Sequence, residues 1–130
     1  MRHVITTKVY YEDTDAGGVM YHASHVRFME RARTEVIDQL GTSVAELHSK
    51  GLFFIVTHID IHYRAPAYLG DTLTVSAETS EVRNVSMSLK QEIRRGNTLV
   101  ADATVTIALT DKERLVRMPA GLLSRLNSPG

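Results

Sequence analysis

The chain has no cysteine among its 130 residues, which excludes disulfides, thiolate metal sites and a cysteine nucleophile, and fits a reducing compartment. Net charge is absent as well, because 15 Lys and Arg balance 15 Asp and Glu. With no overall field to hold a polyanion, nucleic-acid or anionic-membrane binding is disfavoured. No apolar run approaches the ~20 residues of a membrane span. The opening "MRHVITTKVYYEDTD" lacks the apolar core of a signal peptide, so a cytoplasmic, soluble protein is expected. Repeats, linkers and low-complexity tracts are also missing, and a single domain over residues 1–130 is the simplest organisation. Chemistry is left to Ser, His, Asp, Glu and Tyr, in a chain short enough for an extended cleft to need a second subunit.

The periodicity changes twice along the chain. Val4 to Tyr11 is β-branched and aromatic and suits a first strand. From Ser24 to Leu40 the spacing is helical, and Val26, Phe28, Met29, Ala32, Val36, Ile37 and Leu40 spread over about half the helix circumference. An arc that wide suits a helix embraced by a concave surface. Gly41 can take the positive φ that ends such a helix, and "SVAE" (residues 43–46) reads as a capping box for a short second helix ended by Gly51. From Phe53 onward the period is two: Ile55, Thr57, Ile59, Ile61 and Tyr63 alternate with Val56, His58, Asp60, His62 and Arg64. Three further strands, 72–81, 86–94 and 99–109, are separated by the hairpin-length "VRN" and "RRGN". Pro119 and "SPG" mark a frayed end, with one helical turn through Leu122, Leu123 and Leu126. The pattern predicts an α+β domain with one dominant helix against a curved antiparallel sheet.

Least ordinary is "YYEDTDAGGVMYHASHVRFMERARTE", residues 10–35, which crowds Glu12, Asp13 and Asp15 before two glycines and a helix carrying Tyr21, His22 and His25. A solvated turn explains Asp, Thr and Gly but not the tyrosines and histidines. An EF-hand register starting at Asp13 fails, because Gly17 and Ser24 stand where oxygen ligands are required. A serine hydrolase built from Ser24, His25 or His22, and Asp15 lacks the G-x-S-x-G elbow, and Ser24 reads more economically as a helix N-cap. His58, Asp60 and His62 would project from one strand face roughly 7 Å apart, which suits a polar or interfacial face better than a metal centre. A more productive geometry sets free N–H groups of a helix start, which polarise a carbonyl, beside a carboxylate that attacks it or activates water. Acyl transfer and acyl hydrolysis need that pair.

These residues resemble the signature of the YbgC-type acyl-CoA thioesterases, within the hot-dog-fold 4-hydroxybenzoyl-CoA thioesterase family. Weaker similarity covers "HIDIHYRAPAYLGDTLTV" and "SMSLKQEIRR", so the resemblance extends over nearly the whole chain. It implies a hot-dog fold, in which the sheet wraps the long helix. It also implies homodimers, paired into homotetramers, with sites between subunits. Carried over by position, the nucleophile or general base is Asp15. The polarising amide falls at His22, whose side chain is also implicated, and Tyr11 matches a site-associated tyrosine. The implied reaction is acyl-CoA hydrolysis to a carboxylate and free coenzyme A, without metal or cofactor.

Two other readings stay open. A hot-dog dehydratase or hydratase would use His22 and Asp15 to move protons on an acyl thioester. A non-catalytic thioester-binding protein would fit the association of YbgC-like proteins with the Tol-Pal system and acyl-carrier protein. Acyl preference is not readable from Met20, Phe28, Met29 and Met87, for which core packing is the plainer role. Arg64, Arg83, Lys90, Arg94, Arg95, Arg114 and Arg117 are the candidate contacts for coenzyme A phosphates. Arg33 lies within the apolar arc and is expected to meet a carboxylate, Glu30 first, or a subunit boundary.

Overall fold

The computed structural model describes residues 1–127. Strand β1 (Arg2–Lys8) leads through a 3-10 turn at Tyr11–Asp13 to the long helix α1 (His22–Asp38) and the short α2 (Val44–Ser49). Strands β2 (Phe53–Tyr63), β3 (Thr72–Val82), β4 (Ser86–Arg95) and β5 (Thr98–Thr110) follow, and α3 (Ala120–Leu126) comes last. The five strands form one antiparallel sheet in the order β1-β3-β4-β5-β2, with β1 and β2 at its edges. The expected turn through Leu122, Leu123 and Leu126 is α3, while "SPG" lies outside the described residues.

Burial explains the helix. Phe28, Ala32 and Val36 recur every four residues and face the sheet, and Met29 and Ile37 flank the buried Arg33 in the adjacent row. They meet the inward rows Leu73, Val75 and Ala77 of β3 and Leu89 and Ile93 of β4 in one core cluster. The helix lies over β1, β3 and β4, while α2 covers part of β2. A seam is thereby left between α1 and β2.

Several local expectations shift. Helix α1 spans 22–38 and not 24–40, and its N-cap is Tyr21, which makes no side-chain capping bond. Ser24 therefore sits inside the first turn, buried, with its Oγ donating to Asp13 O at 3.0 Å. Gly41 does adopt φ +80° just beyond the helix. At α2, Glu46 N–H donates to Ser43 Oγ at 3.0 Å, but the Glu46 carboxylate turns instead to Thr42 Oγ1 at 2.9 Å, so only half of the expected capping box forms. In β2 the simple alternation breaks at a bulge between Val56 and His58. Ile59 and Ile61 are partly buried against the core, whereas Ile55 is exposed.

Candidate functional site

The acidic loop divides labour between its two aspartates. Asp13 is 2% exposed. Its Oδ2 accepts Tyr10 N–H at 2.9 Å and its Oδ1 accepts Arg27 Nη2 at 3.3 Å. Its carbonyl accepts Tyr21 N–H at 2.8 Å and the Ser24 hydroxyl at 3.0 Å. Asp13 thus fastens the loop to the start of α1. Asp15 is exposed, and its Oδ1 accepts Gly17 N–H at 2.9 Å and Val19 N–H at 3.3 Å in an Asx-type turn. Its Oδ2 has no partner among the described residues. The turn closes because Gly18 takes φ +77°, a conformation costly for any residue with a Cβ.

The start of α1 is uncapped by side chains, and His22 and Ala23 N–H have no acceptor among the described residues. These donors carry the positive end of the helix dipole. Beside them a cavity of about 340 Å³ is lined by Met20, His22, His25, Tyr63, Arg64 and neighbouring loop residues. Tyr63 crosses from β2 to donate its hydroxyl proton to His22 O at 3.0 Å, and burial pushes that phenol's pKa upward. His25 is 4% exposed, with Nδ1 3.2 Å from both Tyr21 O and His22 O. Carbonyl oxygens only accept, so the proton sits on Nδ1 and Nε2 is a lone-pair acceptor. Every sealed side-chain nitrogen or oxygen among the described residues has a partner. Nε2 has none, so it is not sealed, and the His25 and Tyr63 rings stand nearly perpendicular with centroids 4.9 Å apart.

A family model described as the thioesterase-like superfamily matches residues 9–126. The chain belongs to this superfamily. The acyl-CoA thioesterase YbgC of Haemophilus influenzae is 43% identical over 80% of this chain and 77% of its own. The acyl-CoA thioester hydrolase YbgC of Escherichia coli O157:H7 is also 43% identical, over 80% of this chain and 78% of its own. A probable thioesterase from Bartonella henselae superposes with a TM-score of 0.86 at 33% identity, covering 92% of this chain and all of the other. The resemblance to YbgC-type thioesterases and the hot-dog fold expected from it are both borne out.

Within this thioesterase-like framework, His22, at the first position of α1, lines the cavity. Asp15 lies on the adjoining loop and is not part of the wall, and the Tyr11 ring is 83% exposed and also outside it. Of the candidate cations only Arg64 lines the cavity, and it is bonded to Asp102 at 2.9 Å. Arg83, Arg94 and Arg95 pair with Glu81, Glu92 and Asp71. His62 Nε2 lies 3.3 Å from Asp60 Oδ1 on the outer face of β2, and no metal-binding cluster occurs among the described residues. Met20 borders the cavity, whereas Phe28, Met29 and Met87 are core. From the sequence, His25 stood out beside Tyr21 and His22, but a chemical role for it arose only in the serine-hydrolase alternative. Its i+4 spacing from Tyr21, at a helix start, was the available signal.

Desolvation is the main influence on His25 and lowers its pKa below the usual 6.5, against the opposing effect of its two carbonyl partners. The unfolded chain therefore binds the extra proton more readily. The stability that neutral His25 contributes is full above pH 6.5 and is lost as pH falls through the lowered folded value. An NMR titration should place the His25 midpoint below 6.5, and His25→Gln should flatten the acid-side loss of stability. A midpoint at or above 6.5 would contradict the buried neutral ring.

Proposed function

We propose that the chain hydrolyses acyl-CoA thioesters to a carboxylate and free coenzyme A. The observation carrying this reading is the pair of free N–H groups at His22 and Ala23 beside a cavity edged by titratable side chains, in a chain 43% identical to an acyl-CoA thioesterase. Those donors would polarise the thioester carbonyl and hold the negative charge as its oxygen becomes an oxyanion. Asp15 supplies the carboxylate. As a nucleophile it would form an acyl anhydride and expel the coenzyme A thiolate, and water would then release the acid; as a general base it would deprotonate the attacking water directly. Both routes consume one thioester and one water. The His22 side chain adds a polar group to the wall, and Tyr11 enters the proposal as a rim residue on the approach to the loop.

We place the reaction in one domain formed by residues 1–130, in the cytoplasm, working as a homodimer or homotetramer. The unpaired edge of β2, with Ile55, Val56 and Tyr63 exposed along it, supports a site shared between subunits. Acyl-carrier protein is a further candidate partner for the same pantetheine-borne thioester. No helix among the described residues is long and apolar enough to cross a membrane.

The first test is turnover of an acyl-CoA panel with thiol detection. Asp15→Asn should keep the fold and lower kcat by at least ~10²-fold, whereas Asp13→Asn should lower stability and leave kcat of the folded enzyme near wild type. Equal activity losses in the two variants would undo the assignment. Arg64→Met should raise KM for acyl-CoA with kcat nearly unchanged, and turnover of acyl-pantetheine should ignore the substitution; an unchanged KM would remove Arg64 from nucleotide binding. Sizing chromatography should report a dimer or tetramer, and a fully active monomer would contradict the shared site.

A further inference from the structure

The α1–β2 seam holds a second cavity, farther along the helix, of about 130 Å³. Its walls are mostly apolar, with Ile37 of α1, Val44 of α2, Phe54 and Val56 of β2 and Ile107 of β5. Into it projects Arg33, only 5% exposed. Its one side-chain bond is from Nη1 to Gln91 Oε1, at 2.9 Å. Gln91 is itself held, with Nε2 donating to Met29 O at 2.8 Å, so the guanidinium is fixed in place from behind. A guanidinium has five donors. No ion pair engages it among the described residues, and sealed nitrogens without partners do not occur there. Nε and Nη2, which have no partner among those residues, are therefore not sealed, and Arg33 lines the cavity. Burial lowers the Arg33 pKa, and the field of nearby Glu30 partly offsets that effect. Glu30 itself is exposed at the cavity margin, where it accepts from the Thr34 hydroxyl at 3.2 Å.

We propose that this cavity is a subsite for a carboxylate carried at the far end of the acyl chain, so that the enzyme favours ω-carboxyacyl thioesters. The inference rests on the hydrolase reading above. A fork of N–H donors suits a carboxylate in bidentate geometry, and the apolar walls suit the methylenes behind it. The volume corresponds to about four waters at ~30 Å³ each, enough for a carboxylate and a few carbons. Glu30 at the margin disfavours a dianionic phosphate. Arg33 lies 11 residues beyond His22 on one helix, roughly 16 Å of axial rise, so the matching substrate is a long diacid half-thioester. Partly buried Ile59 and Ile61 of β2 lie between the two ends of the seam.

The wild-type protein provides the first test: kcat/KM for ω-carboxyacyl-CoA against unsubstituted acyl-CoA of equal length, over a range of lengths. A preference of at least about tenfold for the longer ω-carboxy substrates is expected, and Arg33→Met should abolish it through KM while keeping turnover of the unsubstituted series. Free long-chain α,ω-dicarboxylates should also protect the wild-type protein against thermal unfolding more than monocarboxylates do, which needs no variant. Turnover without ω-carboxy preference would overturn the subsite and leave hydrolysis standing. No turnover of any thioester, with equal protection by both acid series, would overturn both. A loss of oligomer in Arg33→Met with acyl preference unchanged would assign the guanidinium to a second copy of the chain and likewise overturn the subsite.

Discussion

The buried carboxylate of Asp13 is the constraint on which the site geometry depends. An ionised group placed there without partners would cost several kcal/mol, and the loop answers it with Tyr10 N–H and Arg27, while the residue's own carbonyl takes Tyr21 N–H and the Ser24 hydroxyl. Those last two bonds use the groups that would otherwise shape the helix entry. Tyr21 is thereby held as an N-cap with no capping side chain, and the next two N–H groups are left without acceptors. Asp13 thus ties the loop to the helix start, while Asp15 stays exposed on the following turn, bonded among the described residues only to loop N–H groups through its Oδ1.

The second constraint is how α1 sits on the sheet. It packs over β1, β3 and β4, so the edge strand β2 faces it across a seam and not through a continuous backbone contact. The bulge between Val56 and His58 then reverses the phase of β2, so that Phe54 and Val56 meet one end of the seam and Tyr63 meets the other. Had the strand kept its simple alternation, Ile55 would share a face with Ile59. The polar interruption at Arg33 and Gln91 lies within the same helix–sheet interface. There, a hydrogen-bonded pair occupies positions where an apolar pair would pack without desolvation cost.

Charge shows the same economy. Arg64, Arg83, Arg94 and Arg95 each meet an acid within hydrogen-bond reach. Exposed pairs of this kind contribute little to stability. Arg64 is distinguished from the others by position and not by pairing, since it alone of the candidate cations lines the cavity beside the start of α1.

Periodicity along the chain determined the element order, the antiparallel sheet and the dominant helix, because burial of one face imposes a period of two or 3.6 wherever an element forms. The residues of "EDTDAGG" also announced that acids and a helix start would be neighbours. Which aspartate would be buried was not legible, since Asp13 and Asp15 are chemically alike and differ only in what the folded loop brings to each. Nor could the sequence place His25, whose tautomer is set by two carbonyls of the preceding turn, or Arg33, whose partner Gln91 is 58 residues away. The bulge in β2 left no mark in the residue pattern, because Ile55 and Ile59 look equivalent until β5 pairs with them. Contacts made only in the folded chain, some within one turn and some 58 residues apart, select among side chains that residue type alone treats as the same.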